Sequence, residues 1–330
     1  MSTNKKTFAI VSLGFLGDTL LVEPLCRNLR NNYPDSKIIV ITNNVFKELP
    51  QGFDSVDEIF GYDKKNKHKG NLGYFKFAKE FPYKGKIDHA IITHPHERSI
   101  LISKFIGAKN IISLKRKSLF NFLVNTKIEY IEEEIRNTYK ADYFLKLIKS
   151  LCNPKPYYVE YKRTDINEKE IINKFNLPDK YIVLSPTSKD LIKDWDYNHV
   201  KTFIEEIKTP VVIIGKEKAK EISDKLKSEK INFIDLTNKT TITELGAVIK
   251  NASYCISVDT GTLHFSYAQG VKTIGLFFNP KFVKEWAPNN LACLTILKGE
   301  KILQSDTIIC KKDIDAFDVL ELIESLNVKR

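Results

Sequence analysis

The sequence predicts an α/β protein built from two doubly wound lobes, and three observations carry that expectation. Short apolar runs alternate with helical segments along most of the chain, which is the rhythm of parallel strands joined by crossover helices. The rhythm breaks in Cys152–Lys180, which holds Pro154, Pro156 and Pro178, and then restarts. The clearest single unit is Ser253–Phe278: an apolar run, a turn Asp259-Thr260-Gly261-Thr262, a small-residue helix closed by Gly270, and a second apolar run. That is a βαβ unit. A length of 330 residues suits two domains, here 1–155 and 156–330.

In chain order, a strand is expected at Thr7–Leu13, then Gly14–Thr19 as a turn, then one helix from Leu20 to about Asn32 with Pro24 early in it. Strands follow at Lys37–Thr42, Asp57–Phe60, Asp88–Thr93 and Asn110–Ser113, with helices near Tyr74–Glu80 and up to Ile106. The pattern blurs between Asn121 and Glu134, and a helix from Asn137 to Leu151 closes the lobe. The second lobe reads as strands Tyr181–Ser185, Val211–Ile214, Phe233–Ile234, Tyr254–Val258 and Thr273–Phe278, with helices to Ile207 and at Ala219–Glu229, Thr243–Ile249 and Leu263–Gln269. A short strand near Leu294 and a helix Ala316–Leu326 end it.

Composition narrows the function. Hydrophobic content of 42% and charged content of 28% are globular values. The amino terminus has no apolar core of a signal peptide, and no run approaches a membrane span. Cys26, Cys152, Cys255, Cys293 and Cys310 are odd in number and scattered, so they read as reduced thiols of a cytoplasmic protein. The net charge of +11 favours anionic partners. No nucleic-acid motif accompanies it, so phosphorylated substrates and an anionic membrane surface are the expected ones.

In doubly wound sheets, ligands sit outside the carboxyl ends of the strands. The turn Asp259–Thr262 lies there, at a helix amino end whose N–H groups and dipole favour an anion such as a diphosphate. Gly261 permits close approach, Thr260 and Thr262 add hydroxyls, and His264 lies one turn in. The plainer reading is an N-cap and a turn glycine. The string D-T-G also occurs in aspartic proteases, but those share one proton between two aspartates, and no second copy exists here. Other strand ends carry Asp18, Thr187, Ser188, Lys193 and Glu217. Glycosyl transfer needs such groups: a carboxylate to take the acceptor's proton, cations and N–H donors for the leaving diphosphate, and a second carboxylate for sugar hydroxyls.

Four blocks in this order resemble glycosyltransferase family 9, the heptosyltransferases of lipopolysaccharide core synthesis. They are Gly17-Asp18-Thr19 through Pro24; Ser185-Pro186-Thr187-Ser188 with Lys193 and Trp195; Asp235-Leu236-Thr237 with Thr243-Glu244-Leu245; and Val258–Gly270, VDTGTLHFSYAQG. The resemblance implies a GT-B architecture, with two Rossmann-like lobes facing across a cleft. It also implies inverting transfer of heptose or a related sugar from an ADP-sugar to a lipopolysaccharide core or lipid A-type acceptor, a phosphorylated lipid-linked glycan. The enzyme would work in the cytoplasm, peripheral on the inner membrane face. By position, Asp18 would be the base; Thr187, Ser188 and Lys193 would hold the diphosphate; Asp259 would meet the donor sugar; Thr260, Gly261 and His264 would meet the phosphates; and Glu217, or its rival Glu221, would hold the ribose. Donor binding would lie in the second lobe and acceptor binding in the first. No metal is required by this scheme, and Mg²⁺ is expected at most to stimulate by screening the diphosphate.

The chain departs from the family pattern at Asp196, where Pro is usual, at Leu276-Phe277-Phe278-Asn279-Pro280, where L-F-G-P-T is usual, and at Ser266. These departures leave open another nucleotide sugar for a different surface glycan, or a non-catalytic nucleotide-binding protein on the same fold. Asp18 also reads as a helix cap. Asp194-Trp195-Asp196 mimics a D-x-D metal motif but reads as a solvated turn. His94 and His96 lack a third metal ligand and are expected, with Arg98, to face an anionic acceptor. The basic runs Lys64–Gly70 and Lys115-Arg116-Lys117 read as solvated loops, with docking on an anionic leaflet as their functional reading. Trp286 is expected to pack rather than to stack on a base.

Overall fold

The computed structural model describes residues 5–70, 72–116, 118–287, 296–298, 301–303, 308–310 and 313–328. The chain divides into two compact units, Met1–Arg163 and Thr164–Arg330. The boundary expected at 155 therefore lies later, at 163. The reason is on the second helix. There Arg27 binds Glu23 at 2.6 Å, Glu160 at 3.0 Å and the Tyr158 carbonyl at 2.7 Å. Asn28 exchanges two hydrogen bonds of 2.8 Å with the Lys155 backbone. Residues 156–163 are thus tied back onto the first unit.

In the first unit the chain runs β1 (Thr7–Ser12), α1 (Leu16–Leu20), α2 (Glu23–Asn32), β2 (Lys37–Asn43), β3 (Glu58–Tyr62), α3 (Gly73–Glu80), β4 (His89–Ile92), α4 (Glu97–Phe105), β5 (Asn110–Leu114), β6 (Thr126–Ile128), α5 (Glu132–Asn137) and α6 (Lys140–Phe144). The strands pair in the order β3-β2-β1-β4-β5-β6, all parallel. A parallel sheet is covered by helices on both faces, so its strands are apolar on both. Phe8–Val11 and Ile38–Ile41 are accordingly all buried, each of their side chains larger than alanine contributing roughly 1.5–3 kcal/mol by transfer from water. The strand order reverses between β1 and β4, which makes their carboxyl ends the switch point.

Two expectations fail here for backbone reasons. The single helix from Leu20 is two helices, because Pro24 lacks the N–H an interior turn needs and sits instead in the first turn of α2. The long closing helix is short: α6 gives way to a 3₁₀ turn at Leu145–Ile148.

In the second unit the order is α7 (Glu168–Lys174), β7 (Ile182–Ser185), α8 (Tyr197–Glu206), β8 (Val211–Ile213), α9 (Glu217–Ser228), β9 (Ile234–Asp235), α10 (Ile242–Lys250), β10 (Tyr254–Val258), α11 (Gly261–Ala268), β11 (Thr273–Phe277), α12 (Pro280–Trp286), β12 (Ile296–Lys298), β13 (Lys301–Leu303), β14 (Ile308–Cys310) and α13 (Ala316–Val328). The sheet order is β13-β12-β14-β11-β10-β7-β8-β9, and only β12–β13 is antiparallel. The switch point lies between β7 and β10. Helix α7 was not expected from the proline-bearing stretch; Asn167 caps it by accepting from Glu170 N. The short strand expected near Leu294 is β12, while Leu294 itself, Cys293 and Lys117 fall outside the described residues. No described helix is long and apolar enough to cross a membrane.

Candidate functional site

Each unit carries a pair of facing polar side chains at its own switch point. In the first unit Asp18 follows β1 and His94 follows β4, and His94 Nε2 lies 3.0 Å from Asp18 Oδ1. Asp18 sits inside α1 rather than in a turn. Its Oδ2 accepts the Phe15 N–H at 2.8 Å, so it caps the helix as well as facing His94. This placement depends on Gly14, since a Cβ there would lie 2.4 Å from Asp18 Oδ2. The imidazole is held from behind. Its Nδ1 lies 3.2 Å from Thr93 Oγ1, and its ring meets Phe144 edge-on at 5.7 Å. With Nε2–H donating to Asp18, Nδ1 accepts from the threonine hydroxyl.

His96 is the outer partner, its ring 6.5 Å from that of His94. Burial, then the neighbouring His94 and Arg116, hold its pKa below the ordinary imidazole value. It lines an open cavity of about 600 Å³ with Glu97, Lys115, Arg116 and Tyr130. Arg98 is not part of that cavity; it lies over the Tyr62 ring at 5.8 Å, at the end of β3. Of the three acceptor residues expected together, the structure therefore brings two together and sends the third to the other flank. Lys115 and Arg116, set aside as a solvated loop, join His96 instead, because β5 ends beside β4.

In the second unit Lys193, after β7, meets Asp259, after β10, at 2.6 Å. Asp259 is 7% exposed. Burial pushes its carboxyl above the usual range, with Lys193 opposing the shift. Thr260 is the N-cap of α11 in extended backbone, and the helix begins at Gly261, so its first N–H groups open beside this pair. The loop after β7 is pinned by Asp194, which accepts Ser188 N at 2.6 Å through Oδ1 and binds Lys218 at 2.7 Å through Oδ2. Asp196 caps α8 by accepting Asn198 N at 2.8 Å. The two acids of the D-x-D string thus do separate backbone work. The usual Pro is replaced by a residue that starts the same helix. Among the described residues no three His, Cys, Asp or Glu side chains gather as a metal set.

Thr187 follows β7 and faces Gly215 after β8. Gly215 has φ +140°, and a Cβ on it would meet Ala219 at 2.5 Å. Glu217 is exposed in the first turn of α9, and Glu221 is one turn further from the strand end. Asp235 of the third block is buried. Burial raises its pKa, but Lys227 and the Thr237 hydroxyl and N–H overturn that and hold it well below the carboxylate range. It braces the turn after β9, a role the motif did not reveal. His264 is buried edge-on against Tyr267 at 5.7 Å and Trp286 at 6.1 Å. It supports the α11 turn from within, and Trp286 packs as expected. Sequence reading missed the Asp18–His94 pairing. The available signal was that both residues end strands flanking the reversal.

The family model described as glycosyltransferase family 9 (heptosyltransferase) matches residues 83–310. Lipooligosaccharide heptosyltransferase 2 of Campylobacter jejuni is 26% identical over 337 residues, covering 94% of this chain and 95% of that protein. Among solved structures, a family 9 glycosyl transferase from Veillonella parvula matches with TM-score 0.83 at 18% identity, over 100% of this chain and 99% of that one. ADP-heptose lipopolysaccharide heptosyltransferase II of E. coli matches with TM-score 0.78 at 16% identity, over 98% and 99%. These likenesses place the fold in the GT-B class.

Proposed function

The chain belongs to glycosyltransferase family 9 and is a glycosyltransferase, and we propose that it moves a heptose, or a closely related sugar, from an ADP-sugar to a phosphorylated, lipid-linked saccharide of the lipopolysaccharide core. The observation that carries this reading is the placement of Asp18 at the first unit's switch point, gripped by Phe15 N–H and His94. A carboxylate has about four lone-pair sites, so two held oxygens still leave room for an acceptor hydroxyl. In the proposed reaction the acceptor oxygen attacks the anomeric carbon as the bond to the diphosphate oxygen breaks. The hydroxyl proton passes to Asp18, and the configuration inverts. General-base help of this kind contributes roughly 10²–10⁴-fold. His94 acts as a positioning residue: its Nε2–H fixes which Asp18 lone pair is presented.

On the donor side, the diphosphate would replace Asp259 as the partner of Lys193 and lie against the α11 amino end, with Thr187, Ser188, Thr260 and Gly261 as further donors. Freed from Lys193, Asp259 would then accept from the donor sugar's hydroxyls. Glu217 would take the ribose. His264 would hold the α11 turn rather than touch phosphate. The His96 cavity with Lys115 and Arg116 suits an anionic group of the acceptor, and the enzyme would meet that acceptor at the cytoplasmic face of the membrane. The similarity of the chain to proteins named for ADP-heptose and lipopolysaccharide supports the donor and the acceptor class.

Calorimetric titration with ADP, UDP, GDP and ADP-heptose tests the reading. Selective binding of the adenine nucleotides, weakened about tenfold or more in Lys193→Met, is expected. Selective UDP or GDP binding would replace the donor, and binding of none would refute a nucleotide-sugar enzyme.

A further inference from the structure

Lys193, the cation offered above to the diphosphate, touches a second group that neither the sequence blocks nor the reaction accounts for. Its Nζ lies 2.6 Å from Asp259 Oδ2 and 4.7 Å from the centre of the Phe282 ring. The ammonium thus bridges a carboxylate and an aromatic side chain. The face of a benzene ring is the negative lobe of a quadrupole, so it attracts a cation while bearing no net charge. Phe282 stands just beyond Leu276–Pro280, the segment in which the chain departs from the family pattern.

The fold fixes where that ring stands. Strand β11 pairs with β10, and the Leu276 carbonyl accepts the Asp259 N–H at 3.2 Å, so the carboxyl ends of the two strands are tied together. The chain then turns into α12, where the Phe282 N–H donates to the Asn279 carbonyl at 3.1 Å. Pro280 suits the start of that helix, because its φ is preset and no N–H is needed there. Phe282 and Trp286 are four residues apart and share one face of α12. The Trp286 ring meets that of the buried His264 of α11 at 6.1 Å. Trp286 therefore anchors α12 on α11, and the same face brings Phe282 to Lys193.

We propose that Phe282 is a positioning residue for the donor diphosphate: its ring keeps the Lys193 ammonium at the α11 amino end while the partner of that ammonium changes from Asp259 to phosphate. The proposal rests on the reading of Lys193 as a diphosphate ligand. A lysine head group rides on a flexible four-carbon stem, so a Lys193 released by Asp259 would otherwise swing into water. A second acid in place of the ring would hold it too, but would repel the incoming diphosphate. The aromatic ring holds it without that repulsion. It also keeps water from the ammonium, and a charge contact is stronger where the dielectric is low. Phe282 does not meet the reacting atoms; it acts through Lys193.

The test is calorimetric binding of ADP to the full chain carrying one, two or three fluorines on the Phe282 ring. Fluorine nearly preserves the size of the ring and drains the negative charge from its face. Affinity should therefore fall stepwise, by about fivefold with the third fluorine, with melting by circular dichroism unchanged. Phe282→Leu should weaken ADP binding about five- to tenfold, and Phe282→Tyr should retain most of it. In a Lys193→Met chain, Phe282→Leu should cost less than about twofold more. Affinity indifferent to fluorine overturns the proposal, even where Phe282→Leu binds weakly, because the ring would then only fill space. So does a Phe282→Leu loss that is the same with and without Lys193. A wild-type chain that binds no ADP would instead remove the nucleotide-sugar reading and this proposal with it, so the two failures are distinguishable.

Discussion

Replacing Lys193 by Met would keep a long unbranched side chain and remove the charge that lies beside Asp259 and 4.7 Å from the centre of the Phe282 ring. At 2.6 Å and an effective dielectric of about 20, the lost attraction is about 6 kcal/mol before desolvation is counted. Measured losses for breaking a buried pair run about 3–5 kcal/mol. The Lys193 side chain keeps 21% exposure against 6% for Asp259, which points to the low end, about 3 kcal/mol near neutral pH. The pH dependence has a definite sign. Burial holds the Asp259 pKa above its unfolded value, so its contribution to stability is present below the unfolded carboxylate value and is lost as pH rises through the folded one. Without Lys193 that folded value rises further. The deficit of the variant should therefore be largest near neutrality and shrink on acidification, by at most about 1.4 kcal/mol per pH unit. Both tryptophans, Trp195 and Trp286, lie in the second unit, so urea unfolding followed by their fluorescence reports this unit alone. Adding Asp259→Asn should recover most of the loss. A deficit under about 1 kcal/mol at every pH, or a double variant weaker than the single one, would refute the buried pair.

Other substitutions probe the rest of the framework. His94→Ala should lower kcat about 10–100-fold with donor KM unchanged, and His94→Gln, which keeps an N–H donor, should recover part of it; equal loss in both would deny the positioning role. Gly14→Ala should displace the Asp18 carboxylate and lower kcat to a similar degree, while nucleotide binding, read by calorimetry, is preserved. Asp235 titrates with the opposite sign to Asp259. Its folded pKa is depressed, so its stabilisation is present above the unfolded carboxylate value and lost as pH falls. Asp235→Asn should therefore weaken the second unit near neutrality yet flatten the acid limb of its stability curve in the same fluorescence assay.

The sequence carried the alternation of strands and helices well, because apolar runs such as Ile38–Ile41 and Tyr254–Val258 are buried on both faces and bounded by turn residues. Helix ends were less legible. Pro24 reads equally as an early residue of one helix or the first turn of a second, and only the capping geometry at Val22 decides. The site residues were visible singly, as carboxylates and cations at strand ends. Their pairings were not, because Asp18–His94 and Lys193–Asp259 join loops of strands that become neighbours only through the sheet order. Asp235 shows a related limit: a motif marks a residue that matters without saying whether it touches ligand or holds backbone. Arg98 misled because proximity in sequence to His96 says nothing of which side of α4 a long side chain takes.

The most direct measurement compares wild type with Asp18→Asn in two assays on the same samples: calorimetric binding of ADP-heptose, and release of ADP in the presence of a lipid-linked, phosphorylated core saccharide. The amide keeps the size and the Phe15 contact but cannot take the proton. Donor affinity within about twofold of wild type and a transfer rate lower by about 10³-fold are expected. A variant that transfers at the wild-type rate would remove Asp18 as the base, and with it the proposed mechanism.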